Sequence, residues 1–210
     1  MTPRLSRLVL VLVAAASISL AGCTPAEAPR ADDPAAEPAE PAATPTPMPS
    51  ENPVVLPDDC LDIVAPQVYD AIFQGTPLND PAVVEANEVG ALTPGPPDAS
   101  ATPDQAVEDA TQLRCVWRDP AADVTFLQAE FATVQPTVAE AYLSALPGLG
   151  YTCGETLGGL RCQIVGTSPL YPVEEGTTVF VRDDVVITVE QANFPTTNLL
   201  AEIVGGIWPN

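Results

Sequence analysis

The side chains in this chain that could do chemistry are cysteines and carboxylates. Its 210 residues include five cysteines and 28 acidic residues, but no histidine and no lysine. A Ser-His-Asp triad, a Cys-His pair and a lysine Schiff base are therefore impossible. The sequence also has no calcium loop of alternating acids and no glycine-rich phosphate cradle, so we expect neither a metal ion nor a cofactor. Carboxylate-pair chemistry is the enzymatic option that remains.

A carboxylate-pair hydrolase needs two carboxyl groups held about 5 to 9.5 Å apart across a cleft. The candidates are three pairs of neighbouring acids: Asp58 with Asp59, Glu174 with Glu175, and Asp183 with Asp184. Each pair lies at a predicted helix start or in a loop, where capping and solvation account for acidic residues. We therefore predict that the chain is not an enzyme, and a carboxylate-dependent hydrolase is the alternative.

Cys23 is set apart from the other cysteines by its position near the N-terminus. It ends the tetrapeptide Leu-Ala-Gly-Cys, which follows Arg4, Arg7 and an apolar run over residues 8–18. A short positive region, an apolar core and small residues are typical of a secretion signal. The tetrapeptide resembles the lipobox of bacterial lipoproteins, in which the cysteine receives a thioether-linked diacylglycerol and becomes the mature N-terminus.

The lipobox resemblance implies a compartment. Residues 1–22 would be a signal peptide, and the acyl chains on Cys23, at about 0.8 kcal/mol per buried methylene, would hold the protein on the extracytoplasmic side of the cell membrane. The alternative is an ordinary secreted protein with a chance cysteine after its cleavage site. Lipidation also explains the odd cysteine count, because four cysteines remain for two disulfides.

Residues 23–53 are expected to form a disordered linker behind the anchor. They consist mainly of Pro, Ala, Glu, Asp and Thr, and such a segment cannot bury enough apolar surface to offset its ordering entropy. A proline-rich ligand for an adaptor domain is the alternative reading. The chain as a whole is acidic, with a formal net charge of −21, so nucleic acid is not expected as a partner.

Residues 54–210 are predicted to form one α+β domain. We expect an antiparallel sheet of five or six strands, covered by two or three helices and held by two disulfides. The predicted strands are 113–118, 124–134, 151–155, 160–165, 177–182 and 185–191. The predicted helical segments are 60–73 with a break at Pro66, 103–111, 137–146, and a last helix that begins at Thr196 or Thr197.

The disulfide pairing follows from one predicted hairpin. Cys153 and Cys162 lie directly opposite each other across the turn at 156–159, at the Cα separation of about 4.5 to 5.5 Å that a disulfide can bridge. That pairing leaves Cys60 for Cys115. Trp117 lies two residues after Cys115 on the same face of its strand, and we expect it to pack on the bridged cysteine.

Several local features are predicted with alternatives. Residues 82–89 fit a short helix or a strand, and residues 90–103 form a long loop that is mobile, functional, or both. Phe126 and Leu127 break the alternation of their strand and indicate a bulge. Thr137 and Glu140 fit a capping box. Tyr171 is either part of a contact surface or an exposed loop aromatic.

The last predicted helix carries the apolar stripe of the domain. Leu199, Leu200, Ile203, Val204 and Ile207 recur at helical spacing. Trp208 follows them and is expected to close the core.

The cysteine pattern carries a second resemblance. An early Cys in a helix, a Cys-x-Trp strand and a later pair of cysteines behind a lipobox resemble small actinobacterial lipoproteins. They are similar, more distantly, to the extracellular sensor domains of receptor Ser/Thr kinases of that phylum. The resemblance implies an envelope role and no reaction. We therefore predict a tethered module that binds an envelope protein or a small ligand, with a cell-wall hydrolase as the alternative.

Overall fold

The computed structural model of the chain describes residues 54–96 and 98–209. The predicted signal peptide, Cys23 and the predicted linker lie outside the described residues. Among the residues that are described, no helix combines the length and the hydropathy needed to cross a membrane.

One antiparallel sheet forms the centre of the described region, as predicted. Its strand order is β1-β2-β3-β7-β6-β5-β4. It has seven strands instead of the five or six expected, because a two-residue strand forms inside the segment predicted to be a loop. The strands are β1 (Gly90–Ala91), β2 (Thr111–Trp117), β3 (Phe126–Thr133), β4 (Thr152–Thr156), β5 (Gly159–Thr167), β6 (Glu174–Arg182) and β7 (Val185–Ala192).

Helices lie on both faces of this sheet. The described residues contain four α-helices instead of the two or three expected: α1 (Pro66–Phe73), α2 (Pro103–Asp109), α3 (Pro136–Ala145) and α4 (Leu199–Ile207). Short 3-10 helices cover Cys60–Asp62 and Leu146–Leu149. Apolar residues of α1 and α4 belong to the core on one face, and apolar residues of α2 and α3 to the core on the other. We call these the α1/α4 face and the α2/α3 face.

Trp117 lies at the centre of the core on the α1/α4 face. Its side chain is fully buried, and its ring stacks on that of Phe73 with the centroids 4.2 Å apart. The indole N–H donates a hydrogen bond of 2.9 Å to the hydroxyl of Tyr69. This bond satisfies the one polar group of the indole, so burial of the Trp117 side chain leaves no polar atom of its own unpaired.

The apolar stripe of α4 packs on the same face, as its spacing predicted. Leu199, Ile203, Val204 and Ile207 are buried, and Leu200 is half-buried. Trp208 is buried as expected and meets the edge of the Phe180 ring. The α2/α3 face has a smaller core, which includes Val179, Val186 and Leu146.

Both predicted disulfides are present. Cys60 bonds to Cys115 with the Cα atoms 5.6 Å apart, and Cys153 bonds to Cys162, its direct partner across β4 and β5. Leu157 and Gly158 both have positive φ, 51° and 75°, as a two-residue hairpin turn requires. The tight turn sets the register that places the two cysteines opposite each other.

Two predictions about local strand and helix geometry are wrong. The irregularity of the first hairpin lies in β2, between Thr111 and Leu113, and β3 pairs with β7 without a break. Leu127 belongs to the core on the α1/α4 face, whereas the neighbouring Phe126 is half-buried and belongs to neither core. The predicted capping box at Thr137 is absent, since Pro136 already occupies the first turn of α3 and Gln135 is its N-cap.

Other element boundaries differ from those predicted. The segment 82–89 contains turns and neither a helix nor a strand. The helical segment 60–73 is a 3-10 turn followed by α1. The last helix has Asn198 as its N-cap instead of a threonine, and this residue has a φ of 65°, which asparagine tolerates better than threonine does. Strands β5 and β6 extend into the predicted loop 166–176.

The two disulfides should stabilise the domain unequally. They close loops with sequence separations of 55 and 9 residues, so the chain-entropy model assigns them about 4 and 2.5 kcal/mol. We expect the double variant C60S/C115S to lower the free energy of unfolding more than C153S/C162S does, as measured by guanidinium denaturation. A larger loss in C153S/C162S would contradict this order.

Candidate functional site

Polar side chains lie side by side in the middle of the α2/α3 face. The strand registers place Arg114 opposite Glu130 and Glu130 opposite Thr188 in one row. The next row pairs Gln128 with Glu190. Residues that are directly opposite on neighbouring strands lie close enough for their side chains to interact, and diagonal neighbours are about 7 to 8 Å apart. Glu130 and Glu190 are such diagonal neighbours.

The polar rows form the floor of a depression of about 390 Å³, which we call the polar depression. Residues of α2, including Asp104 and Glu108, form one wall, and Tyr142 of α3 forms another. Glu190 also lines an adjoining hollow of about 330 Å³. Glu190 therefore lies where the two hollows meet.

Arg114 and Glu130 form an ion pair on the floor of the polar depression. The guanidinium Nε donates to Oε1 of Glu130, and the two side chains are only 22% and 19% exposed. Gln128 donates a second hydrogen bond of 3.1 Å to the same carboxylate oxygen. The exposed Glu108 lies 4.0 Å from the same guanidinium. These contacts fix the orientation of the Glu130 carboxyl group.

Glu190, unlike Glu130, is not paired with an arginine among the described residues. Burial raises the pKa of Glu190 above its ordinary value of 4.5, and the neighbouring charge of Glu130 raises it further. Arg114 lowers the pKa of Glu190, but this is the smallest of the three effects. The polar depression therefore holds two neighbouring carboxyl groups in different environments, Glu130 paired with an arginine and Glu190 half-buried with a raised pKa.

Tyr142 adds a neutral hydrogen-bonding group to the wall. Burial, with a smaller contribution from Tyr151, raises the pKa of Tyr142 to about 12. Its phenol remains protonated at neutral pH and can donate or accept a hydrogen bond. Chemically, the polar depression offers four carboxyl groups, one guanidinium, one phenol, one amide and the hydroxyl of Thr188.

The acids singled out from the sequence do not form this site. Asp59 accepts a hydrogen bond from the backbone N–H of Leu61, and Asp183 accepts one from the indole of Trp208. Asp58, Asp184 and Glu174 are exposed. Only Glu175 comes near, because it lines the hollow that adjoins the polar depression.

Sequence reasoning missed Glu130 and Glu190 for an identifiable reason. Glu130 stands between the buried residues Ala129 and Phe131, and Glu190 follows the buried Val189. Polar residues that alternate with buried apolar ones along a strand ordinarily face solvent. The only available signal was that three neighbouring strands all carry a charged residue at such a position. The register between β3 and β7, which are more than fifty residues apart, was needed to bring those residues together.

Comparisons with known proteins add no constraint on the site. No family model, no curated protein and no solved structure matches the chain. The resemblance to actinobacterial lipoproteins stays a prediction.

The unusual environment of Glu190 predicts a pH-dependent stability. Since its pKa is raised in the folded state, the folded protein loses stability as the pH rises from the unfolded pKa through the folded one. We expect Glu190→Gln to raise the thermal midpoint at pH 7 by about 1 to 3 °C and to have a smaller effect at pH 4. Calorimetry at both pH values measures this difference.

Glu174→Gln provides the matched control, because it removes the same charge at an exposed site. An equal rise in both variants at pH 7 would mean that the lower net charge of the protein, and not the environment of Glu190, is responsible.

Proposed function

We propose that the chain is a lipoprotein on the extracytoplasmic side of the cell membrane, anchored through Cys23, and that its domain binds a ligand in the polar depression. The observation that carries the binding role is the polar depression itself. Its floor consists of half-buried polar side chains from three neighbouring strands, where a helix-covered sheet would ordinarily carry apolar ones. The two disulfides support the extracytoplasmic assignment, because such bonds persist in oxidising compartments.

The charge of the polar depression favours a ligand that carries an ammonium group. Four carboxyl side chains line it, but only one arginine does, and that arginine is already paired with Glu130. Because Arg114 is paired with Glu130, it does not neutralise the negative charge of Glu190, and a cationic ligand beside Glu190 would do so. The exposed acids of α2 at the rim would draw such a ligand towards the site.

A second candidate function is a carboxylate-dependent hydrolase. The observation that favours it is the division between Glu130, which is paired with an arginine, and Glu190, whose pKa is raised. Two carboxyl groups in such different environments are the arrangement in which one serves as a proton donor and the other as a carboxylate. In this mechanism Glu190 would donate a proton to the leaving-group oxygen as the glycosidic bond breaks, and Glu130 would stabilise the positive charge that develops at the anomeric carbon. Water would then add to that carbon and return a proton to Glu190.

The lipid anchor predicts a loss of membrane association in Cys23→Ala. In a bacterial host with lipoprotein processing, we expect the unchanged protein in the membrane fraction, with a mature N-terminus whose mass includes a diacylglycerol. The variant should lack that mass, as measured by mass spectrometry of the intact protein. Thr44→Ala, in the predicted linker, should behave like the unchanged protein. Absence of lipid from the unchanged protein would refute the anchor.

The binding role predicts an amine site that includes Glu190. We expect 1,5-diaminopentane to shift the amide resonances of β2, β3 and β7 in the full chain, and its affinity to increase as the pH rises through the titration of Glu190. Glu190→Gln should weaken binding about fivefold or more, since it removes a charge-assisted contact. Glu174→Gln is the control and should change the affinity less than twofold.

Two results would change the proposed function. If diaminopentane shifts no resonance of these strands, the polar depression is not an amine site. If the full chain instead releases reducing ends from cell-wall glycan, and Glu190→Gln abolishes the release while Glu174→Gln does not, the hydrolase is the correct function.

A further inference from the structure

A second pocket lies on the opposite face of the sheet, beside the start of α4. It has a volume of about 270 Å³, and we call it the α4 pocket. Gln163, Thr178 and Val189 lie in one row across β5, β6 and β7 and form its floor. The first turn of α4, with Leu199 and Leu200, forms one side, and Arg161 lies on the other.

The lining of the α4 pocket differs from the rest of this acidic protein. The chain has 28 acidic and seven basic residues, yet the pocket is lined by one arginine and by no carboxylate. The other polar residues that line it are neutral: Thr156, Gln163, Thr178, Thr196 and Asn198. The pocket thus combines a cation and hydrogen-bonding groups with an apolar wall.

Arg161 is also distinct among the arginines. Arg114 and Arg182 form ion pairs with Glu130 and Asp183, and Arg118 donates to backbone carbonyls of its own loop. Among the residues that the structure describes, Arg161 has neither an ion pair nor a side-chain hydrogen bond. Its guanidinium therefore has all five N–H donors available for a ligand.

We propose that the α4 pocket is a ligand site for a small organic carboxylate. The carboxylate accepts hydrogen bonds from the guanidinium of Arg161, whose planar fork matches its geometry. The apolar part of the ligand lies against Leu199 at the side of the pocket and Val189 on its floor. Gln163 and Thr178 form the rest of that floor and add an amide and a hydroxyl group. This site is separate from the polar depression, because the two lie on opposite faces of the sheet.

The experiment uses butanoate as the probe and the purified full chain in detergent micelles, at about 0.15 M ionic strength, where repulsion by distant charges is screened. We expect butanoate to shift the amide resonances of Gln163, Thr178 and Leu200. Butanamide, which has the same apolar part without the charge, should bind at least about tenfold more weakly, as should butanoate to Arg161→Gln.

Arg118→Gln is the matched control, since it removes the same charge in a loop outside the pocket, and it should change the affinity less than twofold. Because the Arg161 side chain is exposed and forms no ion pair or hydrogen bond with the described residues, its variant should fold normally. Equal binding of butanamide and butanoate would overturn the role of Arg161. Inorganic phosphate binding as tightly as butanoate would overturn the organic class of the ligand, and no shift at all would overturn the site.

Glu190→Gln distinguishes this inference from the proposed function. We expect it to leave butanoate binding unchanged within twofold, because Glu190 lies on the other face. A loss of butanoate binding in this variant would mean that the two faces do not act as separate sites, and would overturn the second site.

Discussion

The pairing of β3 with β7 is the constraint on which the rest of the structure depends. These two strands are far apart in sequence but adjacent in the middle of the sheet, and their register runs unbroken from Phe126 with Ala192 to Thr133 with Val185. A slip of one residue would move every side chain of a strand to the other face. If β3 slipped in this way, Phe131 would leave the core and Glu130 would enter it. Burial of the apolar side chains of β3 and β7 therefore also fixes the positions of the polar side chains that alternate with them.

The two faces of the sheet differ in how completely apolar residues and helices cover them. On the α1/α4 face, Trp117, Phe73 and α4 fill a continuous core, which the disulfide between Cys60 and Cys115 ties to the chain before α1. On the α2/α3 face, the helices cover only the part of the sheet near Val186 and Val179. The remainder stays polar and open. One face therefore holds the larger apolar core, and the other has room for a binding site.

The few arginines of this acidic domain have a large influence on its electrostatic potential. Arg114 orients Glu130 inside the polar depression. Arg182 lies 4.9 Å from the ring centre of Trp208 and 3.9 Å from the carboxylate of Asp183, so it joins the end of α4 to the hairpin of β6 and β7. Arg161 alone is left without a partner among the described residues. In a chain with so few positive charges, each position has a large effect on the local potential.

The sequence by itself determined which catalytic side chains are available. It also determined the antiparallel sheet, the disulfide pairing and the apolar stripe of α4. Those features depend on residue types and on local periodicity, such as the tight turn that places Cys153 opposite Cys162. Glu130, Glu190 and Arg161 were not identified as site residues, because each lies at the polar position of an alternating strand and looks like a solvent-facing residue. Whether such a residue faces water or lines a cavity depends on which helix packs beside it and on long-range register. Only the tertiary structure decides those, since no local pattern specifies contacts between distant segments.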